Sequence, residues 1–78
     1  MTQKMKAVKV YVNNKFWVEC CSGKDSKYII FPAFNGKIMK EIKVCIHKEL
    51  NGVETEYAAR IVDKNVELKN GELRWINS

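Results

Sequence analysis

The stretch Val66-Glu67-Leu68-Lys69-Asn70-Gly71-Glu72-Leu73-Arg74-Trp75 decides the fold. Asn-Gly suits a two-residue type I′ turn, because both central residues of that turn take positive φ. Folding the chain back at Asn70-Gly71 sets Lys69 opposite Glu72, Leu68 opposite Leu73, Glu67 opposite Arg74 and Val66 opposite Trp75. One face then collects Val66, Leu68, Leu73 and Trp75, and the other collects two opposite-charge pairs. A slip of one residue would exchange the faces. Turn chemistry and hydrophobic pattern therefore select the same β-hairpin.

The same dipeptide recurs upstream at Asn51-Gly52 and Asn35-Gly36. Turning at Asn51-Gly52 pairs Leu50 with Val53, Lys48 with Thr55, Ile46 with Tyr57, Val44 with Ala59 and Ile42 with Ile61. That face is largely apolar. Its reverse carries His47 across from Glu56, Cys45 across from Ala58 and Lys43 across from Arg60. A four-residue loop, Val62 to Asn65, would then join the two hairpins, with Ile61 against Val66 and Ala59 against Leu68. Lys43, Arg60, Glu67 and Arg74 fall in one row on the polar side of that sheet.

Near the N-terminus, a three-residue loop (Asn13, Asn14, Lys15) pairs Val12 with Phe16, Val10 with Val18 and Val8 with Cys20. A two-residue turn there would place Lys15 and Glu19 among the valines. The preferred register puts Tyr11 beside Trp17 on the outer face, with Lys9 beside Glu19. Tyr28 to Phe31 is apolar on both sides and is expected to be covered on both. A helix over 36–49 competes locally, since Ile38, Met39, Ile42, Cys45, Ile46 and Leu50 share one helical face. The β-branched content and flanking hairpin turns favour a strand. The expectation is one all-β domain over 1–78. It is a small antiparallel meander of six or seven strands forming a compact barrel or two packed sheets, with α+β and one helix near 36–49 as the alternative.

A chain of 78 residues buries only about 60% of its unfolded surface, so its core is thin. No apolar run approaches the roughly 20 residues of a membrane span. Met1 to Lys4 carry no apolar h-region, so no signal peptide and a cytoplasmic location are expected, host cytoplasm if phage-encoded. The three cysteines, Cys20, Cys21 and Cys45, have no recurring spacing and read as free thiols. Together with His47 they could be counted as zinc ligands, but the usual CxxC knuckle is missing. Neither metal nor other cofactor is expected. His47 is the one histidine available as a base, and no nucleophile is placed beside it, so the sequence points away from an enzyme. Ser22-Gly23-Lys24 lacks the GxxxxGK[ST] pattern and reads as a loop between strands rather than a phosphate cradle.

Charge carries the functional expectation. The net charge is +5, from twelve Lys and two Arg against nine acidic groups. Residues 1–48 hold ten Lys and only Glu19, Asp25 and Glu41, while residues 49–78 carry a slight acidic excess. Such a surface attracts polyanions over long range. The candidate binding residues are Lys9, Tyr11, Lys15 and Trp17 on the first hairpin, and Lys43, Arg60 and Arg74 on the polar row. Aromatics set among lysines can stack exposed bases while ammonium groups hold phosphate. The expected partner is nucleic acid or a nucleic-acid-associated host protein complex. The alternative is an anti-CRISPR-like inhibitor, encoded by a phage or mobile element, that docks on and blocks a host complex. Lys, Asn and Ile supply 26 of the 78 residues, an AT-rich coding bias that suits such an origin.

Overall fold

A computed structural model describes residues 5–76, so the expectation about Met1 to Lys4 lies outside the described residues. The turns explain the architecture. Asn70 and Gly71 both take positive φ, 54° and 78°, and all four expected pairs of the last hairpin form. That hairpin joins β6 (Val66–Lys69) to β7 (Glu72–Trp75). At the other two Asn-Gly sites only the glycine has positive φ, 64° at Gly36 and 69° at Gly52. There the glycine is the first central residue, the pattern of a type II′ turn.

Asn51 therefore stays extended, in β4 (Ile38–Asn51), and pairs with Glu54 at the start of β5 (Glu54–Ile61). This corrects the expected register by two residues. Ile46 faces Ala59 instead of Tyr57, His47 faces Ala58 instead of Glu56, and Glu49 faces Glu56. A slip of two preserves the faces, so the apolar side survives while each partner changes.

β4 is a continuous strand of 14 residues, which disposes of the helix over 36–49. Its first half, Ile38 to Cys45, pairs with β3 (Tyr28–Asn35), and its second half, from Ile46, pairs with β5. One strand thus belongs to two sheets. The second sheet continues from β5 through β1 (Met5–Val12) to its edge strand β2 (Lys15–Gly23). Their hairpin uses a two-residue turn, Asn13 at φ 48° and Asn14 at 71°, pairing Val12 with Lys15 and Tyr11 with Phe16. A β-bulge follows, and the expected pairs Val10–Val18 and Val8–Cys20 resume beyond it. The extra residue is Trp17. It removes the conflict that seemed to forbid a two-residue turn, because one inserted residue restores the alternation.

The sheet order is β2-β1-β5-β4-β3-β7-β6, seven strands with no helix among the described residues. The all-β expectation holds, with the sheet nearly closed into a barrel. Two pairings are parallel, β1 with β5 and β3 with β7, where a plain meander has none. The expected join of β5 to β6 does not form, because β5 lies between β4 and β1. Asn13 accounts for the crossing. Its backbone N–H donates to Ile61 O (2.7 Å), and its side chain accepts from Asp63 N (2.9 Å) and donates to Asp63 O and Val66 O (3.1 and 2.8 Å). These bonds bind the β1–β2 turn to the segment that leads into β6 and so draw the barrel seam together.

Val8, Val10, Val12, Phe31, Ala33, Val44, Ala59, Ile61, Val66 and Leu73 form the buried core. Pro32, which has no N–H to give, sits one residue before the β3–β7 ladder begins at Ala33. The shape is flat, 41 × 33 × 19 Å. Nineteen ångströms accommodate two sheet layers about 10 Å apart and little more.

Candidate nucleic-acid interface

The outer face of β1, β5 and the second half of β4 gathers three of the expected residues, Lys9, Tyr11 and Arg60. Lys9 neighbours Ala58 and Tyr11 neighbours Arg60 in the parallel ladder. The Arg60 guanidinium lies 4.3 Å above the Tyr11 ring and donates two hydrogen bonds to Glu49, at 2.6 and 2.9 Å. His47 Nε2 also contacts Glu49, at 2.5 Å. Arg60, then His47, pull the Glu49 carboxyl down to about 2. Lys9 Nζ sits 3.4 Å from Glu56, whose carboxylate raises the ammonium above its ordinary value. The cations on this face are already neutralised.

Trp17 is not on that face. The bulge turns its ring inward, 5.4 Å from Phe31, and its Nε1–H donates to Gly71 O at 3.1 Å. The aromatic beside Tyr11 is Phe16, edge-on at 5.8 Å. Lys15 is exposed beside the seam, where it lines a shallow groove with Asn13, Lys64 and Leu68. The expected row of Lys43, Arg60, Glu67 and Arg74 does not exist, since β5 and β6 are not neighbours. Arg74 instead lies between Glu67 and Phe34, and Lys43 lies opposite Ile30.

A surface the sequence did not flag is the outer face of β3 and the first half of β4. Tyr28, Ile30, Pro32 and Phe34 alternate outward along β3, opposite Cys45, Lys43, Glu41 and Met39. Tyr28 is 47% exposed, Ile30 48% and Met39 49%. The Lys43 ammonium rests 4.1 Å above the Tyr28 ring. The apolar run Tyr28 to Phe31 had suggested cover on both faces, but only its inward residues, Ile29 and Phe31, pack against the core. Exposure of one face of a doubly apolar strand depends on what lies above it, and no local pattern records that.

No protein-family model, curated protein or solved structure matches this chain. The side chains therefore carry the functional argument. Among the described residues, no three His, Cys, Asp or Glu side chains converge with metal-binding geometry. Cys20 packs against the core, where burial raises its thiol, while Cys21 and Cys45 are exposed. The aromatics show a different habit. Among the described residues, five Lys or Arg groups lie 4.1 to 5.7 Å from a Tyr or Trp ring centre. Among the described residues, cations rest on π-faces as well as on carboxylates, and π-faces are what bases stack on.

Proposed function

We propose that this protein is a non-enzymatic binding module for single-stranded nucleic acid, free or within a nucleoprotein, held on the outer face of β3 and β4. The observation that carries the reading is Lys43 resting on the half-exposed Tyr28 ring, with Ile30 and Phe34 on the same strand face. An ammonium on an exposed ring is worth about 0.5–1 kcal/mol, and a stacked base about 1–3 kcal/mol. A base can therefore displace the ammonium, which then swings to the adjoining phosphate. Lys27, next to Tyr28 in the chain, and Arg74, beside Phe34, extend the positive field along the strand. The surplus of +5 supplies the long-range attraction.

Anisotropy of labelled single-stranded DNA and RNA at several salt concentrations tests this. Tyr28→Ala should weaken binding by about 1–3 kcal/mol. Lys43→Gln should lower the slope of log K against log salt by about 0.7. Absence of binding at low salt, with the fold intact, eliminates the reading. A second reading, the inhibitor that docks on a host nucleic-acid-associated complex, draws on the exposed Met39 at the end of the same face, with exposed Ile38 beside it at the strand's start. An interface with an apolar centre would be marked by affinity that changes little with salt.

A further inference from the structure

One mouth of the barrel is built from the start of β1, the start of β5, the end of β4 and the loop after β2. Lys6, Tyr57 and Lys48 meet there on the inward side, by the pairings Lys6–Ser22, Val8–Tyr57 and Lys48–Tyr57. The Lys6 ammonium donates to Lys24 O at 3.0 Å and to Ser26 O at 2.7 Å, and lies 4.7 Å from the Tyr57 ring centre. Lys48 places its ammonium 5.7 Å from the same centre. The two charges are thus no farther apart than those two distances laid end to end. Among the described residues, neither joins an ion pair. Lys24 and Lys27, both exposed, add charge on the adjoining loop, whose one acidic residue is Asp25.

The loop itself closes with Ser26 N–H on Gly23 O at 3.0 Å and turns carbonyls towards Lys6. Its carbonyls hold a cation in place. An ammonium has three donors, so Lys6 keeps one N–H after serving both carbonyls. Its position is fixed before any ligand arrives, which removes part of the ordering cost of binding. Two like charges lie near one ring, one held by loop carbonyls and one not, and the chemical complement of such a pair is an oxyanion.

We infer that this mouth is a phosphate subsite, in which Lys6 and Lys48 grip a phosphodiester of the strand that stacks on Tyr28. The inference rests on the nucleic-acid reading above. The two places are joined through the chain. Lys27 joins the loop to Tyr28, and its carbonyl accepts from Ile46 N at 2.8 Å, two residues from Lys48. A strand leaving Tyr28 passes Lys27 and reaches the mouth.

The test compares a short oligothymidylate, which covers the Tyr28 face alone, with one long enough to reach the mouth. Both are titrated by anisotropy against wild type, Lys6→Met and Lys48→Met. Methionine keeps an aliphatic stem over Tyr57 and removes the charge. The salt slope for the long oligomer should fall by about 0.7 in each variant, while the short oligomer binds as before. Lys48 holds no loop carbonyl, so its variant separates lost charge from a loosened loop. An unchanged slope in Lys48→Met overturns the subsite, whatever Lys6→Met does, and leaves Tyr28 binding standing. Failure of wild type to bind either oligomer overturns both.

Discussion

Trp17 shows how one residue changes the meaning of a surface. Read along the sequence, it stands beside Tyr11 as a stacking ring. Inserted as a bulge, it packs on Phe31 and hydrogen-bonds to Gly71 O, so it ties β2 to the β6–β7 turn. Trp17→Ala should therefore lower the urea midpoint, with a cost toward the low end of about 3–5 kcal/mol because the ring is only half-buried. The folded fraction should bind oligonucleotide as wild type does. Glu49 provides a second case. Its carboxyl falls from the ordinary 4.5 to about 2, chiefly through its hydrogen bond from Arg60. A group depressed on folding stabilises the protein above its unfolded value and loses that contribution as pH falls through its folded value. The stability gap between wild type and Glu49→Gln should be constant at neutral pH and close between 4.5 and about 2. A gap that persists below that window would mean Glu49 acts through packing rather than charge.

Among the elements, the three Asn-Gly turns separate what dipeptides tell from what they do not. All three mark hairpin connections. Only at Asn70-Gly71 does the asparagine itself take the left-handed conformation, and there the expected register is the observed one. At Asn51-Gly52 the turn begins one residue later, and every pair of the β4–β5 ladder shifts by two. Asn70→Ala should cost about 1 kcal/mol, because alanine resists positive φ. Asn51→Ala, at an exposed extended position, should stay within about 0.5 kcal/mol. Equal losses at both sites in chemical denaturation would show that the two turns have the same conformation. The 14-residue β4 was legible as a strand for the same reason that it was ambiguous. Its β-branched residues favour extension, yet its apolar spacing also draws a helical stripe.

For the molecule as a whole, the core is one thin layer between two sheets. Leu73, in the sheet of β3, and Ile61, in the sheet of β5, are both buried, 1% and 4% exposed. Leu73→Ala and Ile61→Ala should each cost about 2–5 kcal/mol, since so few neighbours can move in to fill the cavity. Unchanged thermal midpoints in both variants would mean that the apolar face points elsewhere. The parallel pairings make this core possible. β5 carries small, fully buried Ala59 between Val10 of β1 and Ile46 of β4, and so lets the valines of β1 join the apolar side of β4.

Alternation and turn chemistry are short-range, and they were enough for an all-β chain, for the inward face of nearly every strand and for the complete register of β6 and β7. They could not specify which strand lies beside which. Parallel pairs join segments far apart in sequence, with no turn to set their register, so the placement of β5 beside β1 arises only when the whole apolar surface is buried at once. The candidate site follows from that placement. Inserting β5 between β1 and β4 scatters the expected basic row, while the fold leaves Tyr28 and Lys43 open on the outer face of β3 and β4. The ion pairs that silence Lys9 and Arg60 likewise depend on carboxylates brought across strands, Glu56 to Lys9 and Glu49 to Arg60. Charge is written in the composition, but whether a charge stays free is settled by its neighbours in space.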